Sequence, residues 1–229
     1  MRWSAGLRTI VLAVGLLAAA PGRAEPVAGV PPSGAMDFTV SRKGDQMGTA
    51  SLTFTRRDGL LEVRAAVDLT VRLLFVTVYR YHHESTEVWS GDHLVSLDSR
   101  TRENGRRWQV TARAGKDGQL RVDAGGTTRI LPDTLPPTSY WRPSTVQHAR
   151  WLNSQFGSPS DVTVTPLGQD SVDVAGGMVD AAHYKVRGRV AETGKPIDLD
   201  LWYAGNGELV RIRSVADSDG SLLEFHRIR

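Results

Sequence analysis

The densest cluster of residues that could do chemistry is 79–89 (YRYHHESTEVW), which holds two histidines and two glutamates. His83 and the four residues after it differ by one letter from the zinc-binding pattern H-E-x-x-H, in which a helix brings two histidines onto one metal. The flanking Tyr, Thr, Val and Trp favour a strand instead. On a strand, His83 and Glu87 lie about 13 Å apart, so they cannot share one ion.

A second metal arrangement would use His82 and Glu84, which lie about 6.6 Å apart on one strand face. A third ligand would have to come from elsewhere in the chain, either His93 or His183. A polar strand face that pairs with the neighbouring strand explains the same residues without a metal. We therefore predict that the protein binds no metal.

Patterns for other kinds of catalysis are weak. Six histidines and many serines leave room for a Ser–His–acid triad, but there is no G-x-S-x-G elbow, P-loop or G-x-G-x-x-G. Asp198 and Asp200 share one face of the segment 197–203 (IDLDLWY), whose other face is apolar, so an apolar-in, acid-out strand explains them. The sequence assigns no catalytic residue and no cofactor, and it leaves enzymatic activity open.

Strict period-two alternation identifies the elements that must position these residues. In 49–55 and 61–72 the apolar side chains occupy every second position, which is typical of strands with one buried face. Turn pairs such as Asp58-Gly59, Asn104-Gly105 and Asp117-Gly118 separate successive strands and tolerate the positive φ of tight hairpins. Hairpin after hairpin predicts an antiparallel meander. Its core should include Phe54, Val63, Val67 and Leu201.

The segment 143–155 (PSTVQHARWLNSQ) interrupts the strands. Val146, Ala149 and Leu152 have helical spacing, Pro143 suits a first helical turn and Gly157 follows as a stop, so we predict one helix there. The predicted fold is mainly β: a single large curled antiparallel meander sheet, a half-open barrel, with one helix.

The run 73–79 (LLFVTVY) carries no charge on either face. It fits a strand in the middle of the sheet, covered by the helix, and it also fits the bottom of an apolar groove. Tyr140 and Trp141 precede the helix in a Pro-rich crossover that could close the mouth of a curled sheet. The second interpretation predicts a set of ligand-binding residues: Leu73, Phe75, Val76, Tyr79, Tyr140 and Trp141.

Residues 1–24 have the order of a secretory signal. Arg2 and Arg8 precede the apolar run 10–20, and small residues stand before a cleavage point after Ala24. The run is too short to span a bilayer, so we expect no transmembrane span in the mature chain. Residues 25–34 are predicted to be a flexible leader and 35–229 a single β-rich domain.

Removing residues 1–24 takes three arginines from the 28 Lys and Arg, which leaves 25 basic residues against 25 acidic ones. A formally neutral mature chain makes nucleic acid an improbable partner. The absence of cysteine excludes disulfides, thiolate metal sites and a catalytic thiol.

Several separated blocks resemble a family of secreted bacterial proteins defined as a domain of unknown function, the 6134 family. The resemblance covers nearly the whole predicted mature chain and carries no assigned activity or catalytic residue. It implies a periplasmic protein of Gram-negative bacteria with a mostly antiparallel β-fold. The architecture also resembles the half-open barrels of periplasmic lipoprotein carriers. The blocks are 75–89 (FVTVYRYHHESTEVW), 94–99 (LVSLDS), 138–141 (TSYW), 152–155 (LNSQ), 164–168 (VTPLG) and 198–203 (DLDLWY).

Three functions fit these observations. Binding of an apolar or amphipathic, lipid-like small molecule is favoured by the curled sheet and its uncharged run. A non-enzymatic periplasmic structural or assembly protein, which recruits a protein partner along a sheet edge, is the alternative. A hydrolase is the least favoured.

Overall fold

The structure is a computed structural model that describes residues 27–73, 75–215 and 220–229, so the predicted signal peptide lies outside the described residues. The described chain forms fourteen strands and one short 3-10 helix, Pro143–Gln147, between the eighth and ninth strands. The strands are β1 (Ala35–Arg42), β2 (Asp45–Arg57), β3 (Leu60–Leu73), β4 (Val76–Ser90), β5 (His93–Glu103), β6 (Arg106–Ala114), β7 (Gln119–Ala124), β8 (Thr127–Pro132), β9 (Arg150–Leu152), β10 (Pro159–Val174), β11 (Gly177–Arg189), β12 (Pro196–Ala204), β13 (Leu209–Val215) and β14 (Leu222–Arg227).

All fourteen strands join one sheet, in which every neighbouring pair is antiparallel. The order across the sheet is β8-β7-β6-β5-β4-β3-β2-β1-β14-β13-β12-β11-β10-β9. In the described part of the chain β8 and β9 are the two edges and do not pair with each other, so the sheet stays open. The predicted fold class, a single antiparallel meander sheet, is confirmed.

Several hairpins form at the turn pairs that the sequence predicted. Asp58 and Gly59 have φ values of 52° and 78°, and Asn104 and Gly105 have 47° and 84°. Such angles suit glycine and the short polar residues Asp and Asn, which is why these pairs mark the turns in the sequence.

Two meanders, β1–β8 and β9–β14, meet in the middle of the sheet where β1 pairs with β14. Phe38 lies opposite Arg227 and Val40 lies opposite Phe225 across this pairing, which we call the seam. The seam joins strands that are nearly a whole chain apart in sequence.

The sheet curls around its inner face. One buried core contains side chains of strands that are far apart in the sheet order, including Val122 of β7, Met36 of β1 and Leu201 of β12. Arg129 of β8 also pairs with Glu192, in the turn after β11, with 3.2 Å between its Nη2 and the carboxylate Oε1. Since side chains from distant strands meet, the inner face encloses the core.

The structure corrects the predicted helix over 143–155. Only the 3-10 turn at Pro143–Gln147 forms, because the backbone is already extended at His148 and Arg150–Leu152 pairs with β10 as a strand. The buried indole of Trp151 donates its N–H to the carbonyl oxygens of Thr145 and His148. An α-helix would need those two carbonyls for the amides of residues 149 and 152.

Three of the four predicted core residues are buried. Phe54, Val63 and Leu201 are at most 9% exposed, but Val67 is only half-buried. Val67 is on the inner face as predicted, yet it faces a cavity rather than packed side chains. Alternation identifies the face of a strand and does not show whether that face is filled.

The segment before β1 packs on the same core. Val27 and Val30 contact the core side chains. Gly29 has a φ of 86°, and a Cβ at this position would lie 2.4 Å from the carbonyl oxygen of Trp141. The close approach holds residues ahead of β1 against the crossover that precedes the 3-10 helix.

Among the described residues, no helix has both the length and the apolar character that crossing a membrane requires.

Candidate functional site

A cavity of about 740 Å³ lies against the inner face of the sheet. Strands β1–β4 form one of its walls and β12–β14 form another, so the seam runs along it. Residues 138–140 and 153–155, on either side of the 3-10 helix, cover part of it. We call this space the inner-face cavity.

Small side chains on β2 and β3 create the cavity. Ala50 lies opposite Val67 and Leu52 lies opposite Ala65 in the pairing of these strands, and all four line the cavity. Larger apolar side chains from the other half of the sheet, Leu199, Ile212 and Phe225, line it as well. Since each of these facing pairs includes an alanine, the two halves of the sheet do not fill the space between them.

One wall of the cavity is polar because β4 alternates differently from its neighbours. Its inner face presents Tyr79, Tyr81, His83 and Ser85. The hydroxyl of Tyr79 donates to Glu103 at 3.3 Å, and that of Tyr81 donates to Gln155 at 3.4 Å. The cavity therefore combines apolar walls with a row of hydrogen-bonding groups.

The row of polar groups contains a histidine that stays neutral at ordinary pH. Burial, with a smaller contribution from neighbouring His82, lowers the pKa of His83 to about 4. Its Nδ1 lies 2.8 Å from Oγ1 of Thr101, and its ring stacks on Tyr81 with 6.4 Å between centroids. Burial also raises the pKa of the Tyr81 hydroxyl, so both groups are uncharged partners for a ligand.

Next to the cavity, β4 carries a buried carboxyl. Glu87 is 1% exposed, and its Oε2 accepts the indole N–H groups of Trp89 and Trp141 at 2.9 and 3.0 Å. Its Oε1 makes no hydrogen bond. Burial raises the pKa of Glu87, and the Trp141, Ser139 and Trp89 side chains together with Arg142 offset only part of this effect. The arrangement fixes both indoles around one acceptor.

Arg142 closes the same end of the core. Its guanidinium lies over the rings of Trp89 and Trp141, at 4.5 and 5.1 Å from their centroids, and donates to the Gly91 carbonyl and to Asp92. These cation–π contacts of Arg142 with the two indoles hold the crossover against the end of β4.

Tyr140 is held over the cavity by its backbone. Its φ is 59°, in the left-handed region that bulky residues rarely adopt. Tyr203 donates its hydroxyl to the Tyr140 carbonyl at 2.7 Å, and the Tyr140 ring packs on Trp151 at 5.6 Å. These contacts stabilise the conformation, which orients the ring toward the cavity.

The model of the family described as Domain of unknown function (DUF6134) matches residues 38–228 of the chain. The chain belongs to this family. No curated protein matches it. The sequence blocks that resemble the family lie within the matched region, and they include both Tyr140 and the inner face of β4.

Solved structures resemble this DUF6134 chain in fold. A beta-barrel-like protein of domain of unknown function DUF1849 from Brucella abortus superposes with a TM-score of 0.60 at 10% identity, over 85% of this chain and 94% of that one. Structures classed as a lipoprotein, from Parabacteroides distasonis, and as an exported protein with a YmcC-like fold, from Bacteroides fragilis, give TM-scores of 0.36 and 0.34. The lipoprotein is 13% identical, over 90% of this chain and 99% of its own. The exported protein is 9% identical, over 85% of this chain and 93% of its own. At 10% identity, the likeness to the DUF1849 protein describes the fold alone.

The DUF6134 chain brings together only some of the predicted ligand-binding residues. Tyr79 and Tyr140 line the inner-face cavity, whereas Trp141 is 1% exposed within the core beside it. Phe75 and Val76 are exposed at the turn between β3 and β4. Leu73 ends β3, and its side chain lies outside the described residues.

The apolar run 73–79 is therefore the end of a hairpin and not a strand through the middle of the sheet. Residue 73 ends β3, Val76 begins β4, and the two are paired. Sequence reasoning missed the small residues Ala50 and Ala65 as cavity walls. The feature that identifies them is a pair of small inner-face residues on adjacent strands. This pair can be recognised only when the register of β2 and β3 is known.

The histidine cluster of the sequence is divided between the two faces of β4. His82 is on the outer face, where Nδ1 lies 2.6 Å from Asp68 Oδ1 and Nε2 lies 3.4 Å from Glu84 Oε1. His83 is on the inner face. This is cross-strand pairing on a polar face, and within the described ranges no three His, Asp or Glu side chains are grouped to hold a metal ion.

Two further histidines pair with carboxylates far from the cavity. His93 contacts Asp133 at 2.9 Å, and His183 lies between Asp170 and Asp200 at 2.9 and 2.8 Å. Asp200 also accepts Lys185. Burial raises the pKa of Asp200, but hydrogen bonds from His183 and Lys185 and the charges of Arg213 and Lys185 outweigh it, so the pKa is lowered. None of these histidine contacts involves a serine hydroxyl, which a Ser–His–acid triad would require.

Proposed function

We propose that this chain is an exported periplasmic protein that binds an apolar or amphipathic, lipid-like molecule in the inner-face cavity. The observation that carries the proposal is the cavity itself: about 740 Å³, walled by both halves of the sheet and left open by small side chains on β2 and β3. Cavities that bind small molecules typically measure about 300–1,000 Å³ and are mostly apolar with a few polar groups.

The walls favour a ligand with one apolar chain and a polar group. Val67, Leu199 and Phe225 offer apolar contact, and Tyr81 on β4 and Gln155 in the covering segment offer hydrogen bonds. Burying a twelve-carbon chain supplies up to roughly 9 kcal/mol at about 0.8 kcal/mol per methylene, before ordering costs. Micromolar affinity corresponds to about 8 kcal/mol, so a longer chain or added polar contacts would reach it.

Titration of the mature protein with a fluorescent fatty acid tests the proposal. Ala65→Phe places a ring in the cavity and is expected to weaken binding at least tenfold. Ala66→Phe is the matched control, because it adds the same ring on the outer face of the same strand and should leave binding unchanged. Absence of saturable binding to the wild type, or equal loss in both variants, would contradict the proposal.

Native mass spectrometry of protein purified from the periplasm adds an unbiased measurement. A bound species of lipid mass that is present with wild type and absent with Ala65→Phe supports the same site. It would also identify the natural ligand class.

The exposed edge of β10 favours a second candidate, a structural or assembly protein. β9 pairs only with Pro159, Ser160 and Asp161 of β10, so in the described chain the rest of this long strand has one unpaired side. Such an edge can accept a strand of another protein. Pro substitution at Val164, whose N–H points to the same side of β10 as that of Val162, blocks strand addition there, and loss of a co-purifying protein without loss of fatty-acid binding would favour this candidate.

A further inference from the structure

Exposed apolar side chains gather at the end of the sheet where the inner-face cavity reaches the hairpin tips. Phe75 is fully exposed, and Val76 and Val78 beside it are 65% and 52% exposed. Val215 and Leu222, which pair at the adjoining ends of β13 and β14, are 38% and 40% exposed. Val78 and Val215 also line the cavity, so this apolar rim is continuous with its walls.

Arginines surround the apolar rim on the hairpins β3–β4 and β5–β6. All five are exposed, and no ion pair joins any of them to another described residue. In the described residues 70–80 and 100–108, Glu103 is the acidic residue present, and it faces the cavity, where Tyr79 donates to it. The two tips therefore carry a local excess of positive charge on a chain that is nearly neutral overall. The five are Arg72, Arg80, Arg102, Arg106 and Arg107.

Unpaired arginines beside a protruding Phe and Val have the chemistry of a membrane-surface anchor. Aromatic and aliphatic side chains insert into the boundary between headgroups and acyl chains, while basic residues contact anionic phosphates. A protein partner would also accept the apolar rim, but the concentration of uncompensated positive charge favours a polyanionic surface.

We propose that the tips of β3–β4 and β5–β6 dock on an anionic phospholipid bilayer, with Phe75 and Val76 inserted and the arginines on the headgroups. Docking in this orientation places the opening of the inner-face cavity against the membrane, where a lipid-like molecule can enter without crossing water. The inference rests on the proposed ligand-binding function and adds the place where the ligand is exchanged.

Co-sedimentation of the mature protein with vesicles tests the docking. Wild type is expected to bind vesicles that contain about 30% phosphatidylglycerol in phosphatidylcholine, and to bind pure phosphatidylcholine at least tenfold more weakly. Phe75→Ser/Val76→Ser should reduce binding to the anionic vesicles about tenfold or more. Leu167→Ser/Met178→Ser, which removes two exposed apolar side chains on the β10–β11 hairpin, is the matched control and should bind as wild type.

The charge contribution has its own pair of variants. Arg102→Gln/Arg107→Gln is expected to weaken binding to anionic vesicles about tenfold or more and to reduce its dependence on salt. Arg56→Gln/Arg57→Gln makes the same charge change at the opposite end of the strands and should have little effect.

Fatty-acid titration of the same proteins separates the two proposals. If wild type binds the fatty acid but stays in the supernatant with anionic vesicles, the docking inference is overturned and the ligand-binding function stands. Vesicle binding that is equal in wild type and Phe75→Ser/Val76→Ser also overturns it. If wild type binds vesicles through these tips but does not bind the fatty acid, the ligand-binding function fails and the docking surface remains.

Discussion

At the scale of single residues, Glu87 is a carboxyl that the fold holds almost entirely out of water. Its Oε2 is the shared acceptor of two indole N–H groups, and a cation lies over both rings. Burial favours its protonated form. The residue thus acts as a polar link that fixes Trp89 and Trp141 at the end of the core.

We expect Glu87→Leu to lower the free energy of unfolding by about 2–4 kcal/mol, because it leaves two buried indole N–H groups without an acceptor. Glu84→Leu on the outer face of the same strand is the matched control. Glu84 makes only an exposed contact with His82, so its replacement should change stability by about 0.5 kcal/mol or less. Urea denaturation measures both, and similar effects of the two substitutions would contradict the role assigned to Glu87.

His83 makes stability depend on pH in a defined window. Its pKa is lowered from 6.5 to about 4 in the folded protein, mainly by burial. Between these values the unfolded chain binds the proton and the folded chain does not, so stability falls as the pH falls from 6.5 toward 4. The full effect is about 3 kcal/mol.

His83→Gln should remove this contribution. On lowering the pH from 7.5 to 4.5, wild type is expected to lose about 2–3 kcal/mol more than the variant, measured by denaturant unfolding at each pH. Parallel pH profiles for the two proteins would show that His83 is not buried in its neutral form.

At the scale of elements, the segment after β9 determines how the crossover packs on the sheet. Gly157 has a φ of 71°, and a Cβ there would lie 2.6 Å from the Cβ of Ala124 and 3.1 Å from a methyl of Val110. The chain can approach β6 and β7 this closely only where there is no side chain.

Gly157→Ala should therefore cost more than the conformational strain alone, about 2–4 kcal/mol in total. Gly91→Ala isolates the strain, because Gly91 has a φ of 58° with nothing near the added Cβ, and it should cost about 1 kcal/mol. Melting temperatures of the two variants make the comparison, and equal shifts would mean that the packing is looser than described.

The strands could be predicted from sequence because their information is local. Alternation in 61–72 and turn pairs such as Asn104-Gly105 depend on neighbouring residues only. The β3–β4 hairpin was invisible in 73–79 because the segment between Leu73 and Val76 contains no Gly, Pro, Asn or Asp. The helix over 143–155 was predicted because its spacing is helical, but pairing of Arg150–Leu152 with β10 is a tertiary interaction that spacing does not reveal.

The residues that wall the cavity could not be predicted, for a related reason. Ala65 and Val67 have the same alternation as the buried Val63, and only the distance to the opposite wall distinguishes cavity from core. Tyr79 was predicted from the uncharged run 73–79, and Tyr140 and Trp141 from a crossover that could close the mouth of the sheet. Tyr79 and Tyr140 line the cavity, whereas Trp141 belongs to the core.

At the scale of the whole molecule, the proposed export would determine the net charge and the first residue of the mature protein. Cleavage after Ala24 is expected from the basic, apolar and small residues of 1–24. Intact-mass measurement of periplasmic protein should give a chain that begins at Glu25. A chain that begins at Met1 would contradict both the periplasmic location and the formal neutrality.

The position of the seam implies an order in which the parts of the sheet form during folding. Each meander can form from hairpins between neighbours in sequence, but β1 finds β14 only after the chain has brought distant segments together, which is the slow kind of contact. During synthesis, β1 therefore keeps one unpaired edge until β14 has left the ribosome. Since both halves of the sheet wall the inner-face cavity, the last strand to join also completes it, and a chain that lacks β14 lacks part of one cavity wall.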